Sequence, residues 1–307
     1  MASNRRRSKK TSSRRANTSS RNAPKPTRPD SLRAGLRRGD WVIRDLRSGK
    51  KGTKVTAEFR PAPIASPRKV AFIPDTHVPN HDEAAWELML KALRVFNPDT
   101  VIILGDFADF EPVSAHPRKP RSEQFLISDL GPIASALHDL DEIGPLHKIY
   151  VMGNHEFRLE RYISKNAPAL DGLFSYEKWL EDQNWEVVPY LSTYKLGKLN
   201  ITHDTGTAGV NAHRDAAAAH MGSTIVGHSH RLAYEVRGKV DGVPYLAAMF
   251  GWLGDPTKIT YLHNARAAHW VHGFGIGYML PDGVTHVQPV PIIDGKCVVE
   301  GRVYSLT

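Results

Sequence analysis

The sequence predicts an α/β fold whose second part is β-rich, preceded by a basic segment of a different physical character. Three observations predict it. From residue 70 onward, short apolar runs alternate with stretches of helical periodicity. After residue 230 the helical stretches give out and short strands follow one another. Before residue 70 the charge is of the opposite kind: residues 1–69 carry 21 Lys and Arg against 4 Asp and Glu, whereas the remaining residues carry 20 against 28. The formal net charge of +9 conceals this segregation, and all 15 histidines lie in the second part.

In chain order, residues 1–30 are rich in Arg, Ser, Asn and Pro and lack apolar periodicity. They hold too few apolar side chains to offset the entropy of ordering, so they are expected to be disordered. Residues 31–69 carry scattered apolar positions (Leu32, Leu36, Trp41, Val42, Ile43, Leu46, Val55, Phe59). These form either a short helix and a strand or a segment draped over the main domain. Pro61 to Lys69 reads as a linker. The division is therefore a basic, largely disordered extension with linker over residues 1–68 and a folded domain over 69–307.

Within the domain, "KVAFI" is a strand bounded by proline. Asp82 to Phe96 is a helix, with Ala85, Leu88, Met89, Ala92, Leu93 and Phe96 at helical spacing and acids in its first turn. "TVIILG" is a second buried strand, residues 122–143 a helix, and "HKIYVMG" a third strand. Two helical stretches run from Glu156 to about Glu181. "YKLGKLNITHD" reads as a hairpin turning near Gly197, "AGVNAHRDAAAAHM" as a helix, and "STIVGHSH" as another strand. The last part comprises the strands "RLAYEVRG", "VPYLAAMF", "GFGIGYML", "HVQPVPII" and "CVVEGRVY". No internal repeat is present.

Composition excludes several classes. Hydrophobic residues make up 41%, enough for a sizeable core. The single cysteine, Cys297, rules out an intrachain disulfide and a multi-cysteine zinc site, and fits a reducing, cytoplasmic compartment. No apolar run approaches the roughly 18 residues of a membrane span, and no apolar segment follows the basic N-terminus as in a secretory signal.

The chemistry lies at the strand ends. "VAFIP" runs into Asp75-Thr76-His77, "VIIL" into Gly105-Asp106, and "IYVM" into Gly153-Asn154-His155-Glu156. "LNIT" runs into His203-Asp204 and "STIV" into Gly227-His228-Ser229-His230. In an open α/β sheet, ligands collect outside the carboxyl ends of the strands. Glycines at 105, 153 and 227 suit sharp exits or close backbone approach. Nitrogen and oxygen donors without thiolate suit Mn, Fe, Ni or Zn. Asp75, His77, Asp106, Asn154, His203, His228 and His230 are more ligands than one ion needs, and Asp106 is placed to bridge two.

The series "DTH … GDFAD … GNHE … TH … GHSH" resembles the calcineurin-like metallophosphoesterases, and "GNHEFRLERY" with "HWVHGFG" is similar to the branch found in bacteriophages and bacteria. The resemblance covers about residues 69–290. It implies two packed mixed β-sheets flanked by helices, and hydrolysis of phosphate mono- or diesters by a metal-bound hydroxide. It implies that Asp75, His77, Asp106 and His230 hold one divalent ion, with manganese first among Mn, Fe, Ni and Zn. Asp106, Asn154, His203 and His228 would hold the other. His155 would face the scissile phosphate and protonate the leaving oxygen or stabilise developing charge, Glu156 would orient His155, and Asp109 would support the ligands from behind. Where the family usually has glycine after the lone histidine, this chain has Asp204. That residue would support a ligand, add charge near the second ion, or narrow substrate access.

Arg158 and Arg161 follow the ligand loop and either contact phosphate oxygens or pair with Glu160 and neighbouring acids; Arg231, after the last ligand, is a further candidate contact. The basic extension either solubilises the chain or draws it to nucleic acid without sequence preference. It has no helix-turn-helix or zinc-finger spacing. Two readings thus follow: a dinuclear phosphoesterase acting on a phosphate ester, nucleic acid included, or a nucleic-acid-binding protein whose metal site is structural or vestigial.

Overall fold

The structure is a computed structural model. It describes residues 41–46, 54–59, 66–115, 125–240, 242–258 and 269–306, and divides the chain into two compact units, residues 1–64 and 65–307. In the first unit β1 (Trp41–Leu46) and β2 (Lys54–Phe59) pair antiparallel, with Trp41 opposite Phe59. Two paired strands thus stand where a short helix and one strand were one of the expectations. The disorder expected of residues 1–30 concerns a stretch outside the described residues.

The second unit is built on two mixed sheets. The six-stranded sheet has the order β13-β12-β3-β4-β5-β6. Its strands are β3 (Arg68–Ile73), β4 (Thr100–Ile103), β5 (His147–Val151), β6 (Glu186–Val188), β12 (Gly273–Met279) and β13 (Thr285–Pro291). Strands β3 to β6 are parallel, and β12 and β13 add antiparallel. The five-stranded sheet has the order β10-β11-β9-β8-β7. It comprises β7 (Tyr194–Leu196), β8 (Leu199–Thr202), β9 (Thr224–Val226), β10 (Leu232–Arg237) and β11 (Tyr245–Phe250).

Strand periodicity explains the layering, because alternate side chains point to opposite faces. Val70 and Phe72 of β3, Ile102 of β4 and Ile149 of β5 face the second sheet, where they meet Leu199, Ile201, Ile225, Ala248 and Phe250. The rings of Phe72 and Phe250 lie 5.5 Å apart across this layer. The intervening residues, Ala71, Ile73, Val101, Ile103 and Tyr150, belong to the core beneath the helices. Runs buried on both faces are apolar throughout, as parallel strands require.

Among the described residues five helices complete the layers: α1 (Glu83–Phe96), α2 (Leu126–Asp141), α3 (Phe157–Asn166), α4 (Tyr176–Glu181) and α5 (Ala212–Ala219). Asp82 caps α1, its side chain accepting the Ala85 N–H at 2.9 Å, and Asn97 ends it in the left-handed region. Trp86, Met89, Leu93 and Phe96 form its buried stripe. On the far side, Ala216 of α5 packs on Val226 and Met249. The result is helix, sheet, sheet, helix, the layering that the motif series implied.

Some elements differ from expectation. "CVVEGRVY" is a hairpin rather than one strand: β14 (Lys296–Val299) turns at Glu300 and Gly301, both with positive φ, into β15 (Arg302–Ser305). The helix expected over 208–221 is α5 alone, since Gly209 and Asn211 precede it and Met221 is left-handed. Pro168 opens a 3-10 turn that separates α3 from α4. The short strand β6 had no sequence signal of its own.

Candidate metal centre

Five loops leave the carboxyl ends of β3, β4, β5, β8 and β9, and the structure brings their tips together. One ligand atom from each of Asp75, His77, Asp106 and His230 lies within 4.8 Å of the others, and so does one from each of Asp106, His203 and His228. Asp106 belongs to both groups. Asn154 joins the second group, its Oδ1 lying 3.2 Å from His203 Nε2. All seven expected ligands therefore converge.

The donor set fits cations. His230 Nε2 lies 3.0 Å from His77 Nε2 and 3.1 Å from Asp75 Oδ2, and His203 Nε2 lies 3.2 Å from Asp106 Oδ2. Nitrogen and oxygen lone pairs thus face one another at distances suited to a shared cation, on carboxylates that are almost fully buried. His203 Nδ1 donates to the Leu104 carbonyl at 2.8 Å, which fixes the tautomer and leaves Nε2 free to ligate.

Local chain geometry creates this convergence. His77, Asp106, His228 and His230 all have φ between 49° and 63°, a left-handed conformation uncommon outside glycine. Such residues each cost on the order of 1–3 kcal/mol and persist where the surroundings over-determine them. Here Thr76 and His77 both donate their N–H to the Asp106 carbonyl, and Leu253 donates to that of Asp75. Gly153 and Gly105 are demanded by close approach. A Cβ at Gly153 would overlap the Asp106 carboxylate, and one at Gly105 the His203 ring.

His155 stands beside the ligands. Its N–H donates to Asp106 Oδ1 at 2.8 Å, and its Nε2 lies 3.7 Å from Asp106 Oδ2. Its Nδ1 lies 2.7 Å from Asp109 Oδ1. Asp109 also receives His77 Nδ1 at 3.3 Å and Asn80 Nδ2 at 2.6 Å. The expectation for Glu156 is corrected here, because the carboxylate on the His155 ring is that of Asp109. Glu156 instead ties the loops together, accepting from the N–H groups of Asp106, Ala108 and Gly153 and from the Tyr150 hydroxyl, at 2.7–3.1 Å.

The electrostatics follow from burial and charge. Burial, reinforced by Arg158 and His77, outweighs Asp106 and lowers His155 to about 4. Burial opposes protonation of His203 too, but Asp106 and Asp75 prevail and raise it to about 10. Asp109 is buried yet held below the usual carboxylate range by hydrogen bonds from His155 and His77. Burial and then Asp106 raise Glu156.

The three candidate arginines separate. Arg158 is buried inside the site, donating to the Asp109 carbonyl at 2.7 Å with its other terminal nitrogen 2.7 Å from His155 Nε2. Arg161 is exposed. Arg231 donates to the carbonyls of Ala208 and Ser229. Asp204 folds back on its own loop, accepting the Gly206 N–H at 2.8 Å. Burial, with Asp204 beside it, raises the Tyr190 phenol. Sequence reasoning missed the indoles: His230 stacks on Trp252 with centroids 5.0 Å apart and meets Trp270 edge-on at 4.2 Å. Their only signal was the tryptophan in "FGWLG" and in "HWVHGFG".

Comparison with known proteins adds the following. Residues 68–275 match the calcineurin-like phosphoesterase family profile. The gene 54 protein of Mycobacterium phage D29 is 28% identical over 270 residues, covering 78% of this chain and 99% of the relative. That of Mycobacterium phage L5 is 27% identical over 274 residues with the same coverage. Among solved structures, zinc-complexed Vps29 from Entamoeba histolytica matches with TM-score 0.36 and 15% identity, covering 76% of this chain and 95% of its own. The phosphoesterase Yfce from E. coli matches with TM-score 0.34 and 15% identity, covering 71% and 96%.

Proposed function

The chain belongs to the calcineurin-like phosphoesterase family of metal-dependent phosphoester hydrolases, and from that premise we propose that it is a manganese-dependent phosphodiesterase acting on nucleic acid. The observation that carries the reading is the convergence of seven donors around Asp106 with an imidazole, His155, set beside them. Asp75, His77, Asp106 and His230 would hold one ion, and Asp106, Asn154, His203 and His228 the other. When bound, the ions supply Lewis acidity and a water whose pKa is lowered toward about 7.

The chain's own residues do the rest. Asp109 holds His155 by Nδ1 and so aims Nε2 toward the side of Asp106 that both ligand groups share. Burial keeps His155 neutral in the free protein. The negative charge of an arriving phosphate favours the imidazolium, Nε2 takes up a proton from solvent, and Nε2–H then gives it to the leaving ester oxygen. The buried setting strengthens each of these interactions.

Nucleic acid is favoured by the charge of the extension: 21 Lys and Arg against 4 Asp and Glu over residues 1–69 attract a polyanion by counterion release. Among the described residues no helix is long and apolar enough to cross a membrane, and with phage relatives the host cytoplasm is the compartment we assign. The test is hydrolysis by manganese-loaded protein of bis(p-nitrophenyl) phosphate, p-nitrophenyl phosphate, and single-stranded and duplex DNA. The reading expects diester cleavage, DNA included, falling roughly 100-fold or more in His155→Ala with metal content unchanged. Cleavage confined to the monoester, or an unimpaired His155→Ala, contradicts it.

A further inference from the structure

We propose that Arg158 is a phosphate-binding residue held in reserve: without substrate its guanidinium rests on His155, and the scissile phosphate draws it onto its own oxygens. The inference rests on the phosphoester-hydrolase reading of the same centre and names the group that recognises the anion there.

Arg158 lies in the first turn of α3 and is 5% exposed. A guanidinium stays charged at any pH of interest and offers five donors in a planar fork. Buried charges ordinarily demand a carboxylate partner. Arg158 has one at long range, the Asp109 carboxylate 3.5 Å away. One nitrogen donates to the Asp109 backbone carbonyl at 2.7 Å and lies 3.5 Å from Asp109 Oδ1. That carboxylate already serves His155, His77 and Asn80. The other terminal nitrogen donates to His155 Nε2, a neutral acceptor. The cation is therefore placed but poorly matched.

Position decides what it is matched to. His155 Nε2 is 3.7 Å from Asp106 Oδ2, the carboxylate that both ligand groups share. The guanidinium sits on that same nitrogen, so a phosphate reaching the centre comes within its range. Exchanging a neutral nitrogen for anionic oxygens replaces an ordinary hydrogen bond by charge-assisted ones, which a guanidinium makes in pairs. The exchange has a second consequence. While Arg158 donates to Nε2, His155 cannot donate from it, and withdrawing Arg158 ends that block when an anion has arrived.

The competing role is that Arg158 merely positions His155. A double-mutant comparison separates the two. Binding of inorganic phosphate to the manganese-loaded full chain is measured by calorimetry for wild type, Arg158→Gln, Arg158→Lys, His155→Ala and His155→Ala with Arg158→Gln, alongside metal content. Direct contact predicts that Arg158→Gln weakens phosphate binding roughly 10- to 100-fold, equally with or without His155. Arg158→Lys, which keeps the charge and loses the fork, should fall between. Unchanged phosphate affinity in Arg158→Gln, or an effect that vanishes in the His155→Ala background, overturns the proposal. If Arg158→Gln fails to fold, Arg158→Lys decides: weakened binding with full metal content supports it, and wild-type affinity overturns it. A wild type that neither binds phosphate nor hydrolyses any ester would instead defeat the underlying reading of the centre.

Discussion

Asp106 is held from several directions at once. Its carboxylate serves His155 and His203, its carbonyl receives two N–H groups from the β3 loop, and its own N–H is held by Glu156. Gly153 faces that carboxylate with no room for a Cβ. Gly153→Ala is therefore expected to lose about 1–3 kcal/mol in urea unfolding and to retain less metal, read by elemental analysis. His203 supplies a test by proton count. Held at about 10 without metal, it must give up its proton to ligate. Loading the metal-free protein at neutral pH should thus release on the order of one proton per chain in weakly buffered indicator solution. Apparent metal affinity should keep rising with pH toward 10, and a pH-independent affinity would contradict this role. At this scale the candidate donors that converge were legible because each lies in the polar stretch that follows an apolar run. The Asp109–His155 pairing and the indoles around His230 were not, since contacts between residues far apart in sequence leave no local pattern.

At the scale of elements, the strands that carry the ligands are fixed by what lies between the sheets. Phe72, fully buried and set against Phe250, is the largest β3 side chain in that layer. Phe72→Ala should cost about 3–5 kcal/mol, measured by urea unfolding. The loss belongs to the whole domain, so metal binding should weaken with it. Asp82→Ala removes only the cap of α1 and should cost about 1 kcal/mol, with metal stoichiometry unchanged. Parallel strands β3, β4 and β5 could be read from the chain as continuous apolar runs, and α1 because a periodicity of 3.6 is strong over its 14 residues. The β14–β15 turn was hidden within "CVVEGRVY", where a Glu-Gly pair interrupts the apolar pattern for just two residues. Three-residue β6 was hidden for the opposite reason: it is too short to show a period.

For the whole molecule, opposite charges are segregated along one chain, and among the described residues the candidate metal-binding groups lie in the acidic part. Deleting residues 1–60 should leave turnover of bis(p-nitrophenyl) phosphate within about twofold of the full chain while DNA affinity and its salt dependence fall. Undiminished DNA binding would remove the role assigned to the extension. The central claim is that loops from two sheets form one centre for two cations around Asp106, and metal stoichiometry tests it most directly. Manganese per chain, determined by elemental analysis after loading and exhaustive dialysis, should be two for the wild type and fall well below two for Asp106→Asn. A wild type that keeps no manganese, or an Asp106→Asn variant that keeps both equivalents, would contradict it.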